Sequence, residues 1–261
     1  MTMKFAMTGR VTDCVQLTYR TPSETVCALL PEGLELVTRG PWAFWNVMAC
    51  RVEKARPTGV PAFCGLTYCH VAYRLLVQAM NDRAEVVRGF YFVRSDADAR
   101  TVTTLGNRLS DFKLHPASIT LDASDCGVRC AVRETAYAQG DLELDVTHAP
   151  ARLATGSCFP TLEDARRFAR HTPDGLSVLE RDARRLLRTT RVTRNEQARC
   201  ETPVVVRQAK LGYFDAINQS EHAQIEWACR LGAMDVRWQV GEAVGLLQQP
   251  TRIEQTIRVA G

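Results

Sequence analysis

Asn107, Arg108, Asp111, Lys113 and His115 fall within nine residues, and Pro116 closes the stretch. An amine, an imidazole, a guanidinium and a carboxylate this close together would form a reactive or anion-holding cluster if a rigid element presented them. The elements that could do so lie immediately upstream. Phe90, Tyr91, Phe92 and Val93 form a near-continuous run of bulky, β-favouring residues, which reads as a buried strand. Ser95 offers a helix N-cap with Asp98 three residues on. Asp96 and Asp98 would suit the positive end of a short helix, and Gly106 would permit a tight turn after it. The same pattern also describes an ordinary polar turn with Lys113 in solvent.

A second constellation lies on the stretch Leu66 to Met80. Its odd positions, Cys69, Val71, Tyr73, Leu75 and Val77, are apolar and should face a core, whereas Tyr68, His70, Arg74 and Gln78 share the other face. That polar face looks either into a cavity or at solvent. Residues 84–94 read as the second arm of a hairpin, through a turn at Asn81-Asp82.

The remaining pattern is mostly strand-like. Residues 8–20 read as a strand, and Thr21-Pro22-Ser23-Glu24 as a capping box that starts a helix from Pro22 to about Leu30. Strands are expected at Leu34 to Val37, Phe44 to Val52, 117–122, 126–133, 136–147, 184–194 and 202–208. A helix should open at Thr161-Leu162-Glu163-Asp164, with Leu162, Ala165, Phe168 and Ala169 on one face and His171 at its negative end. Near the C-terminus, Ile225, Trp227, Cys229 and Leu231 alternate like a strand, as do Val236, Trp238 and Val240. The expectation is one domain over residues 1–261, mainly antiparallel β with a few helices.

Composition narrows the classes of function. Over 261 residues, 46% are apolar and 24% charged, and the net charge of +4 demands neither nucleic acid nor membrane as a partner. The longest apolar stretch, Val60 to Met80, is interrupted by His70 and Arg74, which argues against a membrane span. Arg10, Asp13 and Arg20 break any early secretory run, so a cytoplasmic protein with ten reduced cysteines is expected. Cys126-x3-Cys130 and Cys64-x4-Cys69 do not match a zinc knuckle, and neither metal nor cofactor is expected. The seven arginines from Arg181 to Arg199 lack interleaved aromatics and read as a solvated face. Oligomeric state is left open.

Several of these segments together resemble a known family. Tyr19-Arg20-Thr21-Pro22-Ser23-Glu24, continuing through Leu29-Leu30-Pro31-Glu32-Gly33-Leu34-Glu35, resembles the N-terminal signature of the acetoacetate decarboxylase-like superfamily. Phe44 to Val52, Gly65 to Val77, and Tyr91-Phe92-Val93-Arg94-Ser95-Asp96-Ala97-Asp98 through Gly106-Asn107-Arg108-Leu109 resemble its YqjF-like bacterial branch, a domain of unknown function. The resemblance is good over residues 8–150 and looser beyond. It implies a cone-like, double-layered antiparallel β-barrel with outer helices and an internal cavity, which the polar face of 66–80 would line.

The superfamily's decarboxylases work through a lysine that forms a Schiff base, with its pKa lowered by a neighbouring cation and an apolar pocket. By resemblance, that lysine falls on Lys113 if one residue is deleted before it, and Leu114 replaces the neighbouring cation. The family's pocket glutamates fall on Asn46 and His70, and its N-terminal arginine falls on Thr12. These replacements argue against a true acetoacetate decarboxylase. In their place, His70 could serve as general acid or base beside Lys113, Arg74 and Arg108 could clamp a carboxylate, Tyr68 could orient a carbonyl, and Asn46 and Asn107 could add substrate contacts. Two functions follow: lysine-dependent chemistry on a keto acid (decarboxylase, aldolase or dehydratase), or non-catalytic binding of a small ligand in the same cavity.

Overall fold

The computed structural model describes residues 6–134, 138–150, 152–170, 174–182, 184–194 and 201–247. His171, Arg199 and Cys200 lie outside the described residues, as does the side chain of Ala169.

The chain opens with a 17-residue strand, β1 (Ala6–Pro22). The expected helix from Pro22 is instead two 3-10 turns, Ser23–Thr25 and Cys27–Leu29. Side-chain bonds take over the backbone here: the Thr25 hydroxyl donates to the Pro22 carbonyl at 2.8 Å, and Gln219 Nε2 donates to the Thr25 carbonyl at 3.1 Å. Next come β2 (Glu35–Leu36), β3 (Trp42–Pro57), β4 (Leu66–Met80) and β5 (Val86–Ala97).

β5 runs past its expected end. Ser95 and Asp96 belong to the strand and are fully buried, because this end of β5 pairs in parallel with β6 (Leu114–Ala123) from Ser95↔Leu114 to Ala97↔Pro116. Helix α1 (Arg100–Leu109) starts later, behind Ala99, with no side-chain cap. Gly106 lies inside that helix rather than in a turn, where a Cβ would strike the Leu114 side chain.

The chain continues through β7 (Gly127–Glu134), β8 (Leu142–His148), α2 (Leu162–Arg170), β9 (Asp174–Arg181), β10 (Arg184–Arg194), β11 (Glu201–Leu211), α3 (Gly212–Ala216), β12 (Gln224–Leu231) and β13 (Met234–Gly245). β9 has no counterpart among the expected strands.

Thirteen strands form one sheet in the order β12-β11-β8-β7-β6-β5-β9-β10-β13-β1-β3-β4-β2, with added pairings β12–β1 and β5–β4. Two strands divide their partners along their length. β1 pairs with β13 over Ala6–Val11 and with β12 over Cys14–Arg20. β5 lies parallel to β9 at Phe90–Tyr91 and parallel to β6 further on. The wall β1-β3-β4-β5 therefore belongs to two closed circuits of strands, one completed by β6, β7, β8, β11 and β12, the other by β9, β10 and β13. The fold is mainly β, its sheet ringing round without one clean barrel.

Each face of the shared wall has its own interior. Val71, Tyr73 and Leu75 pack with Leu121, Val132, Leu142 and Leu144 in the main core, as their odd positions require. On the opposite side, Val11, Cys14, Cys50 and Val52 meet Trp227, Leu231, Met234 and Val236. Phe44, Leu76 and Phe159 make a third cluster under α2, to which Phe90 and Phe168 add. Among the described residues, no helix is long and apolar enough to cross a membrane.

Candidate functional site

Pleating sends the even residues of β4 to the side away from the main core. Exposure falls along that row, from Leu66 at 41% through a half-buried Tyr68 to His70 at 8% and Arg74 at 9%. The row lines a cavity of about 350 Å³. Met48 and Cys50 of β3, Phe90 and Phe92 of β5, Thr190 and Arg194 of β10, and Val236 and Trp238 of β13 supply further wall, and α1 contributes Val102, Leu105 and Leu109.

Arg74 dominates the electrostatics. Its Nη2 donates to Asn46 Oδ1 and lies 3.5 Å from Met48 Sδ, while its Nε is buried without a partner. The guanidinium carbon stands 4.7 Å from the Phe90 ring centroid and 5.6 Å from that of Phe92, within cation–π range. Burial lowers its pKa to about 10, with Arg194 lowering it further against Cys14 and Cys50, so it remains cationic near neutrality. Among the described residues no carboxylate pairs with it. Among the described residues, the one acidic side chain on the cavity wall, Asp174, is engaged by Arg191 at 3.2 Å.

His70 neighbours this cation. Burial, then the charge of Arg74, lowers its pKa to about 4, against a smaller opposing effect of Asp96, so the imidazole is neutral at pH 7. Its Nε2 is buried without a partner. Burial raises the Tyr68 pKa, keeping the phenol protonated; its ring lies 6.4 Å from that of His70. Tyr68, His70 and Arg74 therefore line one wall of the cavity, with Asn46 bonded to Arg74 behind it.

The residues around Lys113 do not join them. Phe112 and Leu114 face the cavity, and Lys113 between them is exposed. Its ammonium donates to the Tyr91 hydroxyl at 2.5 Å and sits 4.2 Å from that ring's centroid. Tyr91 itself packs in the main core, on the far side of β5 from Phe92. The resemblance reaches Lys113 only through a one-residue deletion, and a single-residue slip in an extended segment moves a side chain to the other face. Lys113 also has φ 51°, a left-handed conformation that costs an ordinary residue about 1 kcal/mol or more.

The other polar residues of this stretch hold structure. Asn107 clamps the Leu114 backbone, accepting from its N–H at 2.7 Å and donating to its carbonyl at 2.8 Å. Asp111 accepts from Ser177 at 2.5 Å and from Arg188 Nε at 2.9 Å. Arg108 is exposed and does not line the cavity. Thr12 donates to Glu53 at 3.2 Å, also off the cavity wall. Asp96, expected at a helix start, instead binds Arg94 at 2.7 Å, which also reaches Glu134 at 3.1 Å.

Sequence reasoning missed Met48, Cys50, Thr190 and Arg194 as cavity residues. Period-two spacing from Asn46 would have placed Met48 and Cys50 on the same face. Arg194 was grouped with a solvated arginine face, and only the β10–β13 pairing, at Arg194↔Val236, turns it towards the cavity. No disulfide joins any of the nine cysteines among the described residues, and no three His, Cys, Asp or Glu side chains among the described residues converge to hold a metal ion.

Residues 8–185 match the sequence profile of a family of uncharacterised conserved proteins. No curated protein matches the chain. The fold aligns with an acetoacetate decarboxylase at TM-score 0.61 and 13% identity, over 94% of this chain and 91% of that one. It aligns with the enduracididine biosynthesis enzyme MppR complexed with pyruvate at 0.60 and 11%, over 94% and 91%. An acetoacetate decarboxylase-like enzyme from Sphingomonas wittichii RW1 aligns at 0.57 and 13%, over 94% of both chains. At such identities the likeness is one of fold.

Proposed function

The chain belongs to the DUF2071 family of uncharacterised conserved proteins, and from that premise and its cavity we propose that it binds a small organic carboxylate, with Arg74 as counter-ion. The observation that carries this reading is the Arg74 guanidinium itself, buried, cationic and without a carboxylate partner among the described residues. An unpaired buried charge costs several kcal/mol, and an anionic ligand offsets that cost. Its unpartnered Nε and the unpartnered Nε2 of His70 offer further bonds to the ligand. Asn46 holds the guanidinium in place, and Tyr68 adds a hydroxyl nearer the mouth. A structural neighbour of the same fold is complexed with pyruvate, which supports the idea that such a fold can enclose a small carboxylate.

Of the two functions, binding without lysine chemistry has the better support. The Lys113 amine is exposed and engaged by Tyr91, away from the Arg74 cation that would hold a keto acid. Calorimetric titration with monocarboxylates tests the proposal. Arg74→Met should weaken binding by tenfold to a hundredfold, the worth of about 1.5–3 kcal/mol for a charge-assisted hydrogen bond, while Arg74→Lys retains part of it. Unchanged affinity in a folded Arg74→Met protein would sink the reading. Borohydride treatment with pyruvate should leave the intact mass of the protein unaltered; an adduct that disappears in Lys113→Ala would instead establish lysine chemistry.

A further inference from the structure

The cavity is much larger and more apolar than a two- or three-carbon acid requires. It runs along β4 from Leu66 to Arg74, eight residue-to-residue steps of strand or roughly 25 Å. Its 350 Å³ would hold on the order of ten methylene-sized groups, judged against the volume of a water. The cation is buried next to Phe90, which packs against the cluster of Phe44, Leu76 and Phe159. The other end is open and greasy. Leu66, Leu105 and Leu109 line the cavity and yet are 41%, 50% and 41% exposed, so they form its rim. Phe63, two residues before Gly65 in the loop leading to this rim, is 88% exposed. Between rim and cation the wall includes Met48 and Met234, whose flexible thioethers adapt to the shape of an apolar guest.

We infer that the ligand is an elongated, unbranched monocarboxylic acid of about eight to twelve carbons, held carboxylate-first at Arg74 with its hydrocarbon chain running out past His70 to Leu105 and Leu109. This rests on the carboxylate reading of Arg74 and adds the chain. A short keto acid would leave the apolar wall against water, whereas each methylene placed there contributes its own transfer free energy. The exposure of Leu105 and Leu109 is explained by the same guest, since a chain that reaches them covers them.

Calorimetric titration of the full chain, below the micellar concentration of each probe, with acetate, pyruvate, hexanoate, octanoate, decanoate and decanol separates the possibilities. Affinity should rise about threefold to fourfold per added methylene from hexanoate to decanoate. Decanol should bind at least tenfold more weakly than decanoate. Leu105→Gln, a change at an exposed position, should cost decanoate more than hexanoate. Pyruvate or acetate binding as tightly as decanoate would overturn the long-chain inference while leaving the Arg74 reading standing. Decanol equal to decanoate, with the length dependence intact, would overturn the Arg74 reading and the acid named here. No binding by any probe would overturn both.

Discussion

His70 couples the stability of the protein to pH. Burial and the charge of Arg74 lower its pKa from 6.5 to about 4 in the folded protein. Below pH 6.5 the unfolded chain takes up a proton at this position and the folded chain does not, so acid favours unfolding. The stabilisation from holding His70 neutral is fully present above pH 6.5 and is lost as pH falls towards 4. It amounts to on the order of 3 kcal/mol across that window. Replacing His70 by Gln should flatten the fall in denaturation midpoint between pH 6.5 and 4 relative to wild type, as read by urea melts. A parallel fall in both proteins would contradict it. An anion at Arg74 would stabilise the imidazolium, so a bound carboxylate should shift the His70 NMR titration upward.

The helix α1 and strand β6 are joined by the Asn107 clamp. Its amide meets both the N–H and the carbonyl of Leu114, and Gly106 lets the helix approach that leucine closely. The pair of bonds holds together the part of the chain that presents Leu105, Leu109, Phe112 and Leu114 to the cavity. Asn107→Ala removes both bonds and should cost about 1–3 kcal/mol of stability, because the Leu114 polar groups lose their partner. A denaturant melt that leaves the midpoint unmoved would show the clamp to be energetically idle. The expected substrate-binding part for Asn107 is thus met by a bond pattern that already uses its amide.

The two strand circuits share β1, β3, β4 and β5, so neither can lose that wall alone. Val71, Tyr73 and Leu75 bury one side of β4, while His70 and Arg74 occupy the other. Loosening the main core therefore opens the cavity, and stress at the cavity reaches the core. The expected outcome is a single cooperative unfolding transition by calorimetry, with calorimetric and van't Hoff enthalpies equal within error. A carboxylate that fills the cavity should raise that one transition as a whole. Two resolved transitions, only one of them moved by ligand, would show the circuits to be separable.

Local pattern alone determined a good deal of this protein. Alternation along Leu66–Met80 set which side chains share a face, and the β-favouring runs marked most strands, because a pleated strand carries its period in its own sequence. Local pattern failed where distant pairing or side-chain bonding prevailed. Ser95 and Asp96 look like a helix start, yet parallel pairing with β6 keeps them in β5; the capping box at Thr21 yields to bonds from Thr25 and Gln219. The polar face of β4 was compatible with solvent or cavity, and only the closure of β9, β10 and β13 over it decided the matter. Lys113 is the sharpest case. Its type and its neighbours suggested a reactive amine, but which face it occupies depends on a register that a one-residue gap inverts. Periodicity says which residues lie together; it does not say what covers them, because the covering strands arrive from far along the chain.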